Sequence, residues 1–241
     1  MFFTLPPKFA YAIFAIMAYA IFVTAHSRLP KCKRQLNVMF ICGGIGGILI
    51  SQLYRRDFWN PPSILGFTQG PVYVTIEDFL FGGSFIGLVT ILSQLTAKNH
   101  LESREETEPL TKRILVVGVT FLVTMAFWLS GVHSLVATSV GFLAGAWALS
   151  WCHHDLRFFV VWGAATSFFL YLVLMIGFIV VIDNWPALAD TFCHYCRDAS
   201  AMDVLMRLTL WSVAFGALFG PFYAFMASKR YVKTWPRGRY E

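Results

Sequence analysis

Residues 113–151 read RILVVGVTFLVTMAFWLSGVHSLVATSVGFLAGAWALSW, and after the first residue they contain no Asp, Glu, Lys or Arg. About 20 consecutive apolar residues are needed to cross the roughly 30 Å hydrocarbon core of a bilayer, so this stretch is long enough for two crossings. Ser130 and Gly131 interrupt it near its middle. The stretch therefore predicts a tight hairpin of two transmembrane helices, residues 113–130 and 133–151.

Apolar runs of similar length lie on both sides of this hairpin. They cover residues 9–26, 36–54, 72–96, 157–182 and 204–228. The chain is 57% hydrophobic and 13% charged, whereas soluble domains are about a quarter charged. The first run lacks a basic leader and an A-x-A exit, so we interpret it as a span and not as a signal peptide. We predict an all-α, polytopic membrane bundle of about seven transmembrane helices.

The basic residues predict an orientation. When seven spans are threaded, 14 of the 19 Lys and Arg residues fall on one side, and these residues favour cytoplasmic loops. We therefore expect an integral protein of the cell membrane, in contact with lipid, with its N-terminus outside and its C-terminus in the cytoplasm. The net charge of +6 follows from this bias, so no nucleic-acid partner is implied.

A weak internal repeat divides the chain. Residues 57–61, DFWNP, precede the third span as residues 183–186, DNWP, precede the seventh, and Asp78 then corresponds to Asp203. The predicted units are a first cyclase-like repeat of three spans (1–96), a polar cytoplasmic linker that frays or forms a short surface helix (97–112), a connecting span (113–130), and a degenerate second repeat of three spans with a basic tail (131–241).

The strongest functional signal is an acidic pair, Glu77 and Asp78, in the segment GPVYVTIEDFLFGG of residues 70–83. Charged groups in hydrocarbon are costly, so intramembrane acids indicate a functional site. If the helix begins at Val72, Glu77 lies roughly 8 Å along it, near the outer face. Adjacent side chains point about 100° apart on a helix, so an alternative interpretation is that only one of the two acids faces an internal chamber.

The residues around this pair resemble a known family. RDFWNPPSILGF at 56–67 followed by TIEDFLF at 75–81 is similar to the lycopene cyclase domain family, flavin-independent membrane cyclases of bacteria, archaea and fungi. That family shows an aromatic-Asn-Pro stretch, an ILG-like segment and a P-x-E-(E/D) motif. The resemblance is best over residues 54–96. Its members combine two such domains, so it implies a second cyclase-like subunit or a homodimer as a partner.

Two positions depart from the family pattern. Thr75 replaces the proline of the motif, and residues 200–203, SAMD, lack both the proline and the first acid in the second half. If each half must supply a complete motif, the chain is inactive alone or acts on a different polyene. A non-catalytic subunit that binds polyene and pairs with a second chain is therefore the alternative to an active enzyme.

The resemblance implies an intramolecular lyase or isomerase of carotenoid biosynthesis that needs no cofactor. Lycopene, or a related acyclic polyene, is protonated at its terminal double bond, and the resulting cation closes a β-ring with loss of a proton. We expect Glu77 or Asp78 to donate the proton, and the ionised partner or Asp203 to stabilise the cation and accept the leaving proton. The candidate substrate-binding residues are Trp59, Asn60, Tyr73, Phe81, Arg207 and Trp211.

Other patterns leave alternatives open. Asp203 and Arg207 are spaced i,i+4, which also suits a structural ion pair. Cys193 and Cys196 predict a disulfide in an outer loop, whereas Cys152-His153-His154-Asp155 resembles a set of metal ligands but is better explained by interfacial packing, and we predict no metal site. Acids and an Arg within spans also suit a proton-coupled transporter. A retinal protein is excluded because residues 204–228 contain no lysine.

Overall fold

The computed structural model describes residues 7–57, 63–64, 66–69, 72–96, 99–103, 109–181 and 201–233. Within these ranges, seven helices are long and apolar enough to cross a membrane, which confirms the all-α membrane bundle. They are α1 (Pro7–Arg28), α2 (Lys33–Tyr54), α3 (Ile76–Thr96), α4 (Leu110–Leu129), α5 (Ser134–Cys152), α6 (Arg157–Val181) and α7 (Ala201–Met226).

Two short antiparallel ribbons lie at opposite ends of the bundle. At one end, β1 (Gly66–Gln69) pairs with β2 (Val72–Thr75) directly before α3. At the other, β3 (Asn99–Ser103) pairs with β4 (Lys229–Lys233) directly after α7. Short 3-10 turns, Pro30–Cys32 and His154–Leu156, precede α2 and α6.

The ribbons correct two expectations from the sequence. Residues 72–75, which we assigned to the third span, form β2, and the helix begins at Ile76. Val, Tyr and Thr at residues 72–75 are β-branched or aromatic, which favours an extended strand. Residues 99–103 of the polar linker form a strand paired with the C-terminal segment, instead of a frayed or helical surface segment.

The predicted hairpin of α4 and α5 is present. Gly131 has a φ of +87°, a left-handed conformation that glycine adopts without steric cost. Its N–H donates to the Trp128 carbonyl at 3.2 Å, and the N–H of Val132 donates to the Phe127 carbonyl at 3.1 Å. The turn therefore ends α4 and reverses the chain within a few residues.

The helices form two groups around a central pair. α3 packs against α1 and α2, α7 packs against α5 and α6, and α3 and α7 contact each other. α4 packs mainly on α5 at the periphery. The first group thus consists of the consecutive helices α1 to α3 and the second of α5 to α7, and the internal repeat stays a prediction.

Glycine contacts set the spacing within each group. A Cβ placed on Gly47 of α2 would lie 2.5 Å from the Asp78 carbonyl oxygen and 3.2 Å from the Gly82 Cα. A Cβ on Gly163 of α6 would collide with the backbone of Gly216 in α7. Small residues allow such close approach of transmembrane helices. Because glycine has no side chain, these positions also leave free volume beside the helix contact.

We expect Gly47→Ala to destabilise the protein by about 1–3 kcal/mol, because the added methyl group pushes α2 away from α3. Gly46→Ala is the matched control on the same helix, since a Cβ at Gly46 has no atom within 4 Å. That control should be neutral or stabilising by up to about 1 kcal/mol. Thermal unfolding in detergent measures both, and equal midpoints for the two variants would contradict the close contact.

Candidate functional site

The candidate site lies where β2 passes into α3. The Thr75 hydroxyl accepts a hydrogen bond of 2.9 Å from the N–H of Asp78, which is the bond that an N-cap residue provides to the first turn of a helix. Thr75 is 1% exposed. Thr75 thus caps α3 and fixes where the acidic pair begins.

The two acids of the pair point to different surroundings. Asp78 is buried and its Oδ1 accepts a hydrogen bond from the Tyr11 hydroxyl of α1. Glu77 is also buried, but its Oε2 accepts from the Ser63 hydroxyl at 2.7 Å and its Oε1 from the Ile64 N–H at 3.0 Å. Glu77 therefore holds the segment before β1, and Asp78 is the acid that faces the interior.

Asp78 lines a cavity between the helices at this end of the bundle. The cavity has about 730 Å³ of atom-free space, including its open side. It is lined by Tyr11, Phe14, Gly43, Gly47, Ile50, Ser51, Tyr54, Asp78, Phe81, Gly82, Phe85, Ile86, Leu135, Tyr171, Leu208, Trp211 and Phe215. Among these described lining residues Asp78 is the only carboxylate and none is basic.

Eight of the 17 residues that line the cavity are aromatic. Phe81 packs on Phe85 with ring centroids 5.4 Å apart, and Phe85 stacks with Trp211 at 6.0 Å. Tyr171 of α6 contacts both Phe85 and Trp211 edge-on, at 6.3 and 6.1 Å. The predicted residues Phe81 and Trp211 therefore meet in one wall, although they are distant in sequence.

A chain of hydrogen bonds runs from this wall into α5. Trp211 donates from Nε1 to the Tyr54 hydroxyl at 2.5 Å, and the Tyr54 and Thr138 hydroxyls lie 2.9 Å apart. Thr138 also donates to the Ser134 carbonyl at 2.9 Å. Buried polar groups that are fully paired rigidify their surroundings, so this chain fixes the orientation of the Trp211 ring.

Tyr73 lies at the rim and does not line the cavity. Its backbone N–H donates to Oε1 of Gln52 at 3.3 Å, and Nε2 of Gln52 donates to its carbonyl oxygen at 2.7 Å. These two bonds attach β2 to α2. The Arg55 guanidinium lies 3.7 Å from the centre of the Tyr73 ring. Partial burial lowers the pKa of Arg55, and the nearby Asp78 opposes that shift. Tyr73 therefore positions a cation at the rim.

Arg56 and Asp57 join this rim to the α4–α5 hairpin. Arg56 donates to the Trp128 and Val132 carbonyls at 2.7 and 2.8 Å. Both carboxylate oxygens of Asp57 accept from the N–H of Ser134, at 3.2 and 3.0 Å. A carboxylate at this place satisfies an otherwise unpaired N–H, and the positive end of the helix dipole stabilises its negative charge. Asp57 therefore caps the first N–H of α5, beside the N-cap residue His133, whose ring Nδ1 accepts from the Leu135 N–H at 3.3 Å.

Arg207 lies close to His133 at the same end of the bundle. Burial lowers the pKa of His133, Asp57 opposes this shift, and the positive charges of Arg207 and Arg56 add to it. Arg207 does not line the cavity. Of the other predicted site residues, Trp59, Asn60, Cys193 and Cys196 lie outside the described residues, as does the side chain of Asp203.

Three important residues were not predicted from the sequence, Tyr11, Gln52 and Tyr54. Each acts through a tertiary contact; Tyr11 and Asp78, for example, are separated by 67 positions. No motif connects them. The one available signal was that each places a polar group in an apolar span, which is costly in lipid unless it is paired.

No group of three or more His, Cys, Asp or Glu that could hold a metal ion occurs within the described ranges. His153 is buried against Phe225, with ring centroids 5.4 Å apart, and Asp155 lies 3.8 Å from it. His153 thus contacts both Phe225 and Asp155 at the end of α5.

We expect Glu77→Ala to increase hydrogen exchange of the Ile64 amide by about tenfold, because loss of a bond to a charged group costs about 1.5 kcal/mol. Glu77→Gln keeps an acceptor oxygen and should exchange nearly as slowly as the unchanged protein. Hydrogen exchange with peptide-level mass spectrometry measures both variants. An unchanged rate in Glu77→Ala would refute the role of Glu77 as the anchor of this segment.

We expect Asp57→Ala to destabilise the protein by about 1–2 kcal/mol, since it removes a helix cap and leaves a buried N–H unpaired. Asp155→Ala is the control, because that side chain is 49% exposed and should change stability by less than about 0.5 kcal/mol. Thermal unfolding in detergent compares the two. The capping role fails if both variants unfold at the same temperature.

Comparison with protein-family models, with curated proteins and with solved structures finds no match to this chain. The resemblance to the lycopene cyclase domain family thus depends on the motif of residues 54–96. A function for this chain must be proposed from the chemistry of the cavity.

Proposed function

We propose that this protein is a membrane-embedded acid catalyst that cyclises an end group of lycopene or a related acyclic polyene. The observation that supports this most is the position of Asp78, a buried carboxyl group in an aromatic-lined cavity inside a bundle of membrane-spanning helices. The substrate is itself dissolved in the bilayer, so it reaches the cavity without crossing water. The reaction is an isomerisation and needs no cofactor.

The chemistry requires one proton to be given and one to be taken back. The Asp78 carboxyl protonates the terminal double bond, and the tertiary cation is attacked by a neighbouring double bond to close a six-membered ring. Loss of a ring proton to the Asp78 carboxylate, or to Asp203, forms the β-ring double bond and leaves no net change in protons. The Tyr11 hydroxyl stabilises the carboxylate while the cation exists.

The aromatic wall protects the cation and lowers its energy. The faces of Phe81, Phe85 and Trp211 carry negative electrostatic potential, and each favourable contact with a cation contributes about 0.5–2 kcal/mol. Carbocations react with any nearby water, so a wall of rings also prevents hydration as a side reaction. Both effects require the rings to be fixed, which the Trp211–Tyr54–Thr138 chain achieves.

A non-catalytic polyene-binding subunit is the second candidate. It is favoured by the presence of a single carboxylate among the described cavity residues, since Glu77 is bound to Ser63 and Ile64. In that case a second cyclase-like chain supplies the missing acid. Co-expression with a candidate partner distinguishes the two, because the subunit produces cyclic product only in the pair.

Expression in a lycopene-accumulating bacterium, followed by pigment chromatography, tests the proposal. The unchanged chain should convert red lycopene to yellow monocyclic or bicyclic product. Asp78→Asn should reduce the conversion at least about 100-fold, the usual effect of losing a general acid. Glu77→Gln should retain most of the activity, because its contacts are to the segment before β1.

Asp155→Asn serves as a control for expression and folding, since Asp155 lies at the opposite end of the bundle. Lycopene that stays unchanged, with the chain alone and with a partner, would overturn the cyclase proposal. Equal losses in Glu77→Gln and Asp78→Asn would overturn the division of roles within the pair.

A further inference from the structure

We propose that Arg55 is a positioning residue for the acid Asp78: Tyr73 holds the Arg55 guanidinium at the rim of the cavity, where its charge stabilises the Asp78 carboxylate. Arg55 does not line the cavity, so it acts through Asp78 and not on the substrate. The inference deepens the proposed function and rests on it for its catalytic meaning. The electrostatic action itself can be measured without any substrate.

One face of α2 leads from the helix contact to the rim. Gly47, Ser51 and Arg55 are each four residues apart, so they lie on the same side of the helix in successive turns. Gly47 meets the Asp78 carbonyl oxygen, and the Ser51 hydroxyl lies beside the Asp78 carboxyl group. The Arg55 N–H donates to the Ser51 carbonyl at 3.2 Å, which keeps Arg55 in helical geometry. The Arg55 side chain therefore begins on the Asp78 side of α2.

Tyr73 fixes the guanidinium at this place. The guanidinium carbon of Arg55 lies 3.7 Å from the centre of the Tyr73 ring, and an aromatic face attracts a cation at this distance. The Tyr73 ring is itself held, because Gln52 bonds both backbone groups of this residue. A Cβ on Gly66 of β1 would collide with the end of the same ring, so the ring packs directly on the glycine. The ribbon thus presents a fixed ring to the cation.

The neighbouring arginine has different contacts. Arg56 donates to the Trp128 and Val132 carbonyls, and it pairs with the Asp57 carboxylate at 3.3 Å. Its charge therefore belongs to the junction with the α4–α5 hairpin. Two consecutive arginines at the end of α2 are in this way directed to different places, and Arg55 is the one that faces the ribbon and the cavity.

The groups around Asp78 assign the role of counter-charge to Arg55. Among the described residues, Arg55 is the cation that acts on Asp78. The other titratable groups are Tyr11, which donates to the carboxyl group, Tyr171, which lines the cavity from α6, and Glu77, which is turned to the segment before β1. A nearby opposite charge favours the ionised form of a carboxyl group. An acid whose ionised form is stabilised is a stronger acid, which is what protonation of an isolated double bond requires.

Carbodiimide labelling tests the inference. N,N′-Dicyclohexylcarbodiimide dissolves in membranes and adds to the protonated form of a carboxyl group, and peptide mass spectrometry measures the product at Asp78. The full chain, in nanodiscs of phosphatidylcholine, is labelled over a series of pH values. On the alkaline side of the labelling curve, we expect Asp78 to react at least about threefold faster in Arg55→Gln than in the unchanged chain, because the protonated form is then favoured. Arg55→Lys keeps the charge and should react almost as slowly as the unchanged chain.

Salt and further variants distinguish the charge of Arg55 from a structural role. Arg55 is only partly buried, so its charge is screened by salt. Added salt should therefore speed the labelling of the unchanged chain and have no effect on Arg55→Gln. Tyr73→Leu removes the ring that holds the cation and should react at an intermediate rate. Arg157→Gln removes an exposed positive charge at the other end of the bundle and should match the unchanged chain. Circular dichroism confirms that each variant is folded, and Tyr73→Leu with the salt series decides the question if Arg55→Gln does not fold.

The outcomes separate this inference from the cyclase proposal. Labelling of Asp78 that is the same in Arg55→Gln as in the unchanged chain, or faster by the same factor at every pH, would overturn the role of Arg55 even if the chain cyclises lycopene. Labelling that depends on the charge, in a chain that leaves lycopene unchanged, keeps Arg55 as the counter-charge of Asp78 and removes the cyclase.

In a chain that does cyclise lycopene, kinetics test the catalytic meaning of the contact. At acidic pH, where Asp78 carries its proton in both proteins, Arg55→Gln should lower kcat at least about tenfold and leave KM nearly unchanged, since Arg55 touches no substrate. Arg55→Lys should recover most of the kcat. An unchanged kcat in Arg55→Gln would show that the counter-charge has no part in the reaction.

Discussion

The close contact between α2 and α3 is the constraint on which the site depends. Gly43 and Gly47 meet Gly82 at backbone distance, which side chains of any size would prevent. The contact also determines the position of Asp78, whose carbonyl oxygen is one of the atoms against Gly47. Because the same three glycines line the cavity, the absence of side chains both joins the helices and creates room for a ligand.

The two acids of the pair lie in different surroundings. Consecutive residues on a helix cannot face the same direction, so an acid pair at a helix start sends one side chain inward and the other to the connecting segment. The cap at Thr75 fixes the first turn of α3 and therefore determines which of the two acids points inward. Asp78 then enters the cavity, and Glu77 takes the hydrogen bonds of Ser63 and Ile64.

The transmembrane helices could be predicted from the sequence because hydrophobicity alone determines them. Residues of the candidate site could be related to one another only where they are close in the chain. Apolar runs of about 20 residues identify helices independently of their partners. Asp78 and Phe81 are three residues apart on α3, so they share a face of the helix, and both line the cavity. The strand at residues 72–75 was missed because a short apolar strand before a span has the same composition as the span. Tyr11, Tyr54 and Gln52 act through contacts between distant helices, which no local pattern encodes.

The layout of the polar groups distinguishes the proposed catalyst from what a proton-coupled transporter requires. A transporter must expose its acid in turn to both sides of the membrane, through sites between its repeats. Here the described contacts of Asp78, with Tyr11 and Thr75, lie at one end of the bundle. Toward the other end, Phe215 packs against Phe142 and Phe219 at 5.7 and 4.6 Å between ring centroids. The proposed cyclisation needs no second opening, because the proton that Asp78 gives to the substrate is returned within the same cavity.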